Sequence, residues 1–275
     1  MTILEALEKA KLLRQQQPAQ AGQAPAVRRG RVAAEAVAAP PLVRLDYPVR
    51  DPDPETLRTN RILLTADVRP SAASDAYRIL RTRLMHRMES QGWNSFAVTS
   101  AGPGDGKSLT VLNLGLAIAS ERRRNVFLLD LDLRNPSLCR YLGVRTDAGI
   151  GQYLAGAGKA EDLFFSIGVD NLAIAGGMSR HENSAELLGG ERLGELLDHI
   201  RSADPAALIL ADLPPLLSVA DALVVAPKLS ATLLVVAEGG TRRDGLARAL
   251  EILSGVTVAG IALNHSSAAI QNYYA

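Results

Sequence analysis

The stretch SAGPGDGKSL, residues 100–109, decides the fold. It follows an apolar run, Phe96 to Thr99, and opens a helix-patterned stretch, Ser108 to Ser120, so it is a strand–loop–helix junction. From Ala101 to Ser108 it fits A/G-x-x-x-x-G-K-S. In that pattern Gly102, Gly104 and Gly106 let backbone N–H groups approach phosphate oxygens, and Lys107 neutralises the β and γ charge. Ser108 supplies a hydroxyl for Mg²⁺. Asp105 and Leu109 count with the loop as nucleotide-binding positions, and ATP with Mg²⁺ is the expected ligand. Lys107 reads as a solvent-facing loop lysine that contributes little to packing.

Working outward, short apolar runs alternate with helical stretches. SFAVTS, NVFLLDLD, NLAIAG, AALILAD, TLLVVAE and GIALN are strand-like, while residues 184–201 and 242–253 are helical in pattern. Strands buried on both faces and alternating with helices predict an α/β fold, a P-loop NTPase with a mainly parallel sheet flanked by helices on both faces. Ligands in such sheets bind at the carboxyl ends of the strands.

Two further strands end there in acid. VFLLDLDLRNP, residues 126–136, delivers Asp130 and Asp132 at alternate positions and therefore on one side of the chain, and ALILADLPPLL delivers Asp212. Three carboxylates at the edge that carries a lysine-bearing phosphate loop predict a Mg-nucleotide site.

The three segments resemble the Walker A, Walker A′ and Walker B motifs of the bacterial tyrosine kinases of capsule and exopolysaccharide assembly. SDAYRILRTRL resembles that family's self-assembly helix, with Asp75 in place of its Glu and with Arg78 and Arg81 in place; NSAELL, ADALVVAP and GIALN match further family stretches. The likeness covers residues 57–264. It implies that Asp130 orients or deprotonates the attacking tyrosine hydroxyl, and that Asp132 and Asp212 hold Mg²⁺ with Ser108. Asn264 is either an adenine contact or a strand-end turn residue. The resemblance also implies a ring-like self-assembly, a separate membrane chain-length-determining activator, a cognate tyrosine phosphatase, and a cytoplasmic protein recruited peripherally to the inner membrane. The family's tyrosine-crowded tail is reduced here to Tyr273 and Tyr274, the expected phosphoacceptors. The rival reading is a non-kinase ATPase switch of the partition and septum-positioning type. Those ATPases carry a lysine early in the phosphate loop, and positions 101–105 read AGPGD.

The rest of the sequence sets bounds. Residues 1–14 read as a short amphipathic helix, 15–56 as an Ala/Pro/Gln-rich disordered linker, 57–264 as the catalytic domain and 265–275 as a flexible tail. Ser71 or Ser74 is expected to cap the helix that carries Tyr77, Leu80 and Leu84 on one face. A formal net charge of +1 argues against nucleic acid as a partner, and the single cysteine, Cys139, excludes an intramolecular disulfide.

Overall fold

A computed structural model describes residues 42–63 and 71–266. The expected amphipathic helix 1–14, most of the expected linker, Tyr273 and Tyr274 lie outside the described residues.

Six parallel strands form one sheet in the order β3-β2-β4-β1-β5-β6. They are β1 (Ser95–Ser100), β2 (Val126–Asp130), β3 (Leu172–Ala175), β4 (Leu208–Asp212), β5 (Ala231–Ala237) and β6 (Val258–Asn264). Each lies within or beside one of the six apolar runs in the sequence. β1 to β5 are buried at every position, as their unbroken apolar runs require, whereas the edge strand β6 alternates and leaves Ile261 and Leu263 exposed.

Alternate strand residues feed two cores. Ala97, Phe127, Leu129 and Ile209 face one, which the helix Glu191–Ala203 closes with Leu193, Leu196, Leu197 and Ile200. Phe96, Val98, Leu128 and Leu210 face the other, covered by the helix Lys107–Ala119 that leaves the phosphate loop. Gly115 sets how closely that helix approaches the sheet, since a Cβ there would meet Leu128 Cδ2 at 2.7 Å.

In chain order the helices are α1 (Pro54–Thr59), α2 (Ala72–Gln91), α3 (Lys107–Ala119), α4 (Leu138–Leu142), α5 (Ile150–Leu154), α6 (Ser184–Gly189), α7 (Glu191–Ala203), α8 (Asp221–Val225) and α9 (Arg243–Ile252). Ser71 caps α2, and Ser74 completes a reciprocal capping box rather than acting as the cap. Leu84 is buried, and Tyr77 and Leu80 pack beside it against the same core as α3. The stretch 184–201, read as one helix, is two: Gly190 adopts an extended backbone (φ −65°, ψ 171°) between α6 and α7.

The expected linker ends too late, because residues 42–56 are part of the fold. Leu45 and Tyr47 pack on the first core, with the Tyr47 ring 5.2 Å from Phe164 and Phe164 5.3 Å from Phe127. Arg50 N–H donates to the Ser166 carbonyl, and Asp53 caps α1. Arg81, expected to serve assembly, also makes contacts within the chain. Its guanidinium pairs with Glu121 at 3.0 Å and donates to the Ala117 carbonyl at 3.1 Å, clamping α2 to the end of α3. Arg78 and Asp75 remain exposed and pair with each other at 3.0 Å, a link worth little in water.

Candidate functional site

The carboxyl ends of β1, β2 and β4 lie side by side, which brings the glycine loop and all three aspartates to one edge. Asp130 and Asp212 are register partners across β2 and β4. The loop needs its glycines: Gly104 has φ 85° and Gly106 φ 91°, both left-handed. Gly106 is also the N-cap of α3 and brings no side-chain cap, so the helix's first N–H groups are left for an anion.

Lys107 reaches back from α3 into the acidic edge. Its Nζ lies 2.7 Å from Asp132 Oδ2, 3.3 Å from Asp212 Oδ1 and 3.3 Å from Ser108 Oγ. With its side chain 12% exposed, this lysine is an ion-paired, largely buried group, not the solvent-facing one expected from sequence. Burial alone would lower its pKa; the charges of Asp212 and Asp132 outweigh that and hold it above the ordinary lysine range.

The aspartates differ. Asp132 pairs with Lys107 and accepts the Asn135 N–H at 3.2 Å, which closes the turn after β2. Asp130 is fully buried: its Oδ2 accepts the N–H groups of Ser137 (2.7 Å) and Leu138 (2.9 Å). Burial, reinforced by the charge of Asp212, raises the Asp130 pKa, and those N–H bonds only partly offset it. Burial also raises Asp212, against the pull of Lys107. Asp130 Oδ1 and Asp212 Oδ2 are buried with no hydrogen-bond partner. Such oxygens are costly unless a ligand uses them.

That pattern fits Mg-ATP. Among the described residues no group of three or more His, Cys, Asp or Glu side chains could hold a metal by itself. Mg²⁺ does not need such a cage, because it keeps waters and takes one or two carboxylates together with phosphate oxygens. Ser108, Asp132 and Asp212 are the residues that would hold it.

Other expected positions brace the loop. Asp105 turns its carboxylate inward, accepting from Gly102 N–H (3.1 Å) and from the Thr241 hydroxyl (2.9 Å). Leu109 packs against the core below α3. Asn264, at the end of β6, donates its Nδ2 to the Asp105 carbonyl at 2.9 Å. A Cβ on Gly106 would sit 2.0 Å from that same nitrogen, so Asn264 is a strut under the phosphate loop. Asn264→Ala is therefore expected to weaken ATP affinity by about tenfold, one lost hydrogen bond to a loop that must hold its shape. Titration with a fluorescent ATP analogue checks this; unchanged affinity would show that the strut is dispensable.

Sequence reading missed Thr241 and a triad beside the site, an exposed arginine on a buried aspartate and serine. Arg134, two residues after Asp132, pairs through Nε with Asp221 at 3.3 Å, and the Ser184 hydroxyl donates to the same Asp221 oxygen. The signal was present: NSAELL holds Ser184, ADALVVAP holds Asp221, and DLDLRNP holds Arg134. The triad brings these three stretches together in the fold.

No protein-family model matches the chain. Among curated proteins it is 36% identical over 181 residues to EpsB of Ralstonia solanacearum, a match covering 66% of this chain and 24% of EpsB. It is 28% identical over 197 residues to the tyrosine-protein kinase YwqD of Bacillus subtilis, covering 72% of this chain and 82% of YwqD. It is 30% identical over 210 residues to the tyrosine-protein kinase etk of Escherichia coli, covering 75% of this chain and 28% of that protein. The chain thus spans about a quarter of EpsB and etk and most of YwqD. The solved kinase domain of the E. coli enzyme superposes with a TM-score of 0.67 at 26% identity, over 81% of this chain and 91% of that domain. The septum site-determining protein MinD of Pyrococcus horikoshii shares the fold, with a TM-score of 0.52 at 24% identity over 65% of this chain and 74% of MinD. With a Walker A loop, a DLD strand end and a Walker B aspartate at one sheet edge, and with these relatives, the chain belongs to the bacterial tyrosine kinase family.

Proposed function

We propose that this chain is an ATP-dependent protein-tyrosine kinase that passes the γ-phosphate to Tyr273 or Tyr274 of a neighbouring copy and so regulates exopolysaccharide or capsule assembly. One observation carries the reading: the loop lysine is ion-paired to carboxylates from two different strands, beside the buried Asp130 with an unpartnered oxygen. Mg-ATP, when bound, supplies the transferable phosphoryl group and neutralises its developing charge. The loop N–H groups and Lys107 position phosphate. With nucleotide bound, Lys107 would contact phosphate, and Asp132 and Asp212, its present partners, would hold the metal with Ser108. Asp130, held by the Ser137 and Leu138 N–H groups, keeps one oxygen for the tyrosine hydroxyl proton. Its raised pKa makes it a stronger base than an ordinary aspartate once its own proton has been released.

Among the described residues no helix is long and apolar enough to cross a membrane. The reading places the chain at the inner-membrane surface through a separate chain-length-determining partner, in a ring of copies whose contacts use Asp75, Arg78 and Arg81, with a cognate phosphatase resetting it. The partition-type ATPase alternative rests on fold alone, and the loop's AGPGD has no lysine to reach across a dimer.

Incubation with γ-labelled ATP and Mg²⁺, with and without the partner's cytoplasmic segment, tests the proposal. Label is expected on Tyr273 or Tyr274 and should vanish when both are changed to Phe. Label persisting in that variant removes these acceptors, and ATP hydrolysis without phosphotyrosine in any condition removes the kinase reading.

A further inference from the structure

A second cavity, of about 380 Å³, opens just past the loop that pins Asp130. Pro136 and Cys139, which flank the Ser137 and Leu138 N–H donors, form its wall together with Val144, Gly177 and Met178. Arg140, Arg145 and Arg180 line it as well. None of these residues belongs to the glycine loop.

The chemistry of the lining is two-sided. The wall is apolar: Cys139 is completely buried, and burial followed by the charge of Asp130 pushes its thiol pKa up, so it stays a neutral, unreactive surface. The rim is cationic. The Arg180 guanidinium is steadied by Asn135 Oδ1 at 3.3 Å. The exposed guanidinium groups of Arg140 and Arg145 have no hydrogen-bond or ion-pair partner among the described residues. Across Gly143, Asp53 has its carboxylate committed to Thr56 at the start of α1. Unpaired guanidinium groups around an apolar slot match an aromatic ring that carries a dianion.

We infer that this cavity is a phosphotyrosine subsite, which holds the phosphorylated segment 265–275 of a second copy. The inference rests on the kinase reading for its ligand. HSSAAIQNYYA contains no Asp, Glu, Lys or Arg, so the arginines find no side-chain charge there until phosphorylation adds about −1.5 to −2 at one tyrosine. Phosphorylation then turns a weakly held substrate into a held product beside the carboxylate that made it. Because Tyr273 and Tyr274 adjoin, retaining one keeps the other near the site, and the pair is modified in one encounter.

The test uses the full chain saturated with Mg-ADP, which occupies the glycine loop, and amidated synthetic peptides of residues 265–275 with and without phosphate on Tyr273. Calorimetry is expected to show the phosphopeptide binding at least about tenfold more tightly than the unmodified one, with the difference shrinking as salt rises. Arg140→Ala with Arg145→Ala should abolish that preference while leaving the thermal midpoint in place, both side chains being exposed. Equal affinity for the two peptides, or an undiminished preference in the arginine variant, overturns the subsite. The synthetic peptide separates the two readings. Phosphopeptide binding without tyrosine labelling would remove the kinase proposal alone, whereas labelling without such binding would remove the subsite alone.

Discussion

Lys107→Met is expected to cut ATP turnover by roughly 10²–10³-fold or more and, unlike an ordinary loop substitution, to destabilise the protein at neutral pH. Both effects follow from where the lysine sits. Its ammonium is the cation that Asp132 and Asp212 share at 2.7 and 3.3 Å, and Asp212 is completely buried. Breaking a buried ion pair by removing one partner typically costs about 3–5 kcal/mol, because a charge is left uncompensated. Methionine fills the space of the stem and none of the charge. The loss should depend on pH. Without Lys107, burial raises Asp212 further above its unfolded value of about 3.9. The folded state then binds the extra proton, and stability falls as pH rises from about 4. Near that lower limit the carboxyls are neutral and the variant should approach wild type. Lys107→Arg, which keeps the charge, should lose turnover and retain most of the stability. Thermal denaturation at about pH 5 and pH 8 together with an ATPase assay decides it. A folded Lys107→Met with wild-type turnover would eliminate the phosphate site, and a pH-independent midpoint difference would eliminate the shared-cation account.

The sequence exposed the sheet because each buried parallel strand is a continuous apolar run, and it exposed the site because acids at the ends of such runs have few structural uses. What it hid was long-range. Tyr47 sits in a proline-rich stretch with no periodicity, and its burial comes from Phe127 and Phe164, far along the chain. Arg81 has the spacing of a surface arginine, and only the packing of α2 on α3 brings Glu121 and the Ala117 carbonyl to it. Asn264 reads as an adenine contact or a turn residue, and only the placement of β6 brings it under Gly106. The chemistry of Lys107 was legible, but its burial was not: a lysine among glycines looks exposed unless the acids of two other strands are known to face it.

The sharpest consequence of the site's electrostatics concerns Asp130. Asp130→Asn is expected to reduce phosphotransfer by about 10²-fold or more and yet to raise the thermal midpoint at alkaline pH. Asparagine keeps an oxygen for the Ser137 and Leu138 N–H groups, which now bond Asp130 Oδ2 at 2.7 and 2.9 Å. It places an NH₂ where Oδ1 lies buried without a partner, on the strand next to Asp212. Burial and the Asp212 charge hold the Asp130 pKa above its unfolded value. Native Asp130 therefore binds a proton that the unfolded chain has released, and its carboxylate removes stability progressively as pH rises from about 4 through its folded pKa. The variant lacks that penalty. Its midpoint should exceed wild type by several degrees near pH 8, about 2–4 °C for each kcal/mol in a domain of this size, and converge with it near pH 4. Mg-ATP affinity should stay within a few fold, because Lys107, Asp132 and Asp212 are untouched. Nucleotide loss as complete as in Lys107→Met would move Asp130 from the acceptor to the nucleotide, and wild-type tyrosine transfer would end its role as base. If transfer falls without any gain in stability, the buried charge is compensated by something other than the groups around it here. A protein keeps a carboxylate that costs it stability where the chemistry requires one, so lost activity and gained stability in a single substitution would mark Asp130 as a group retained for catalysis rather than for the fold.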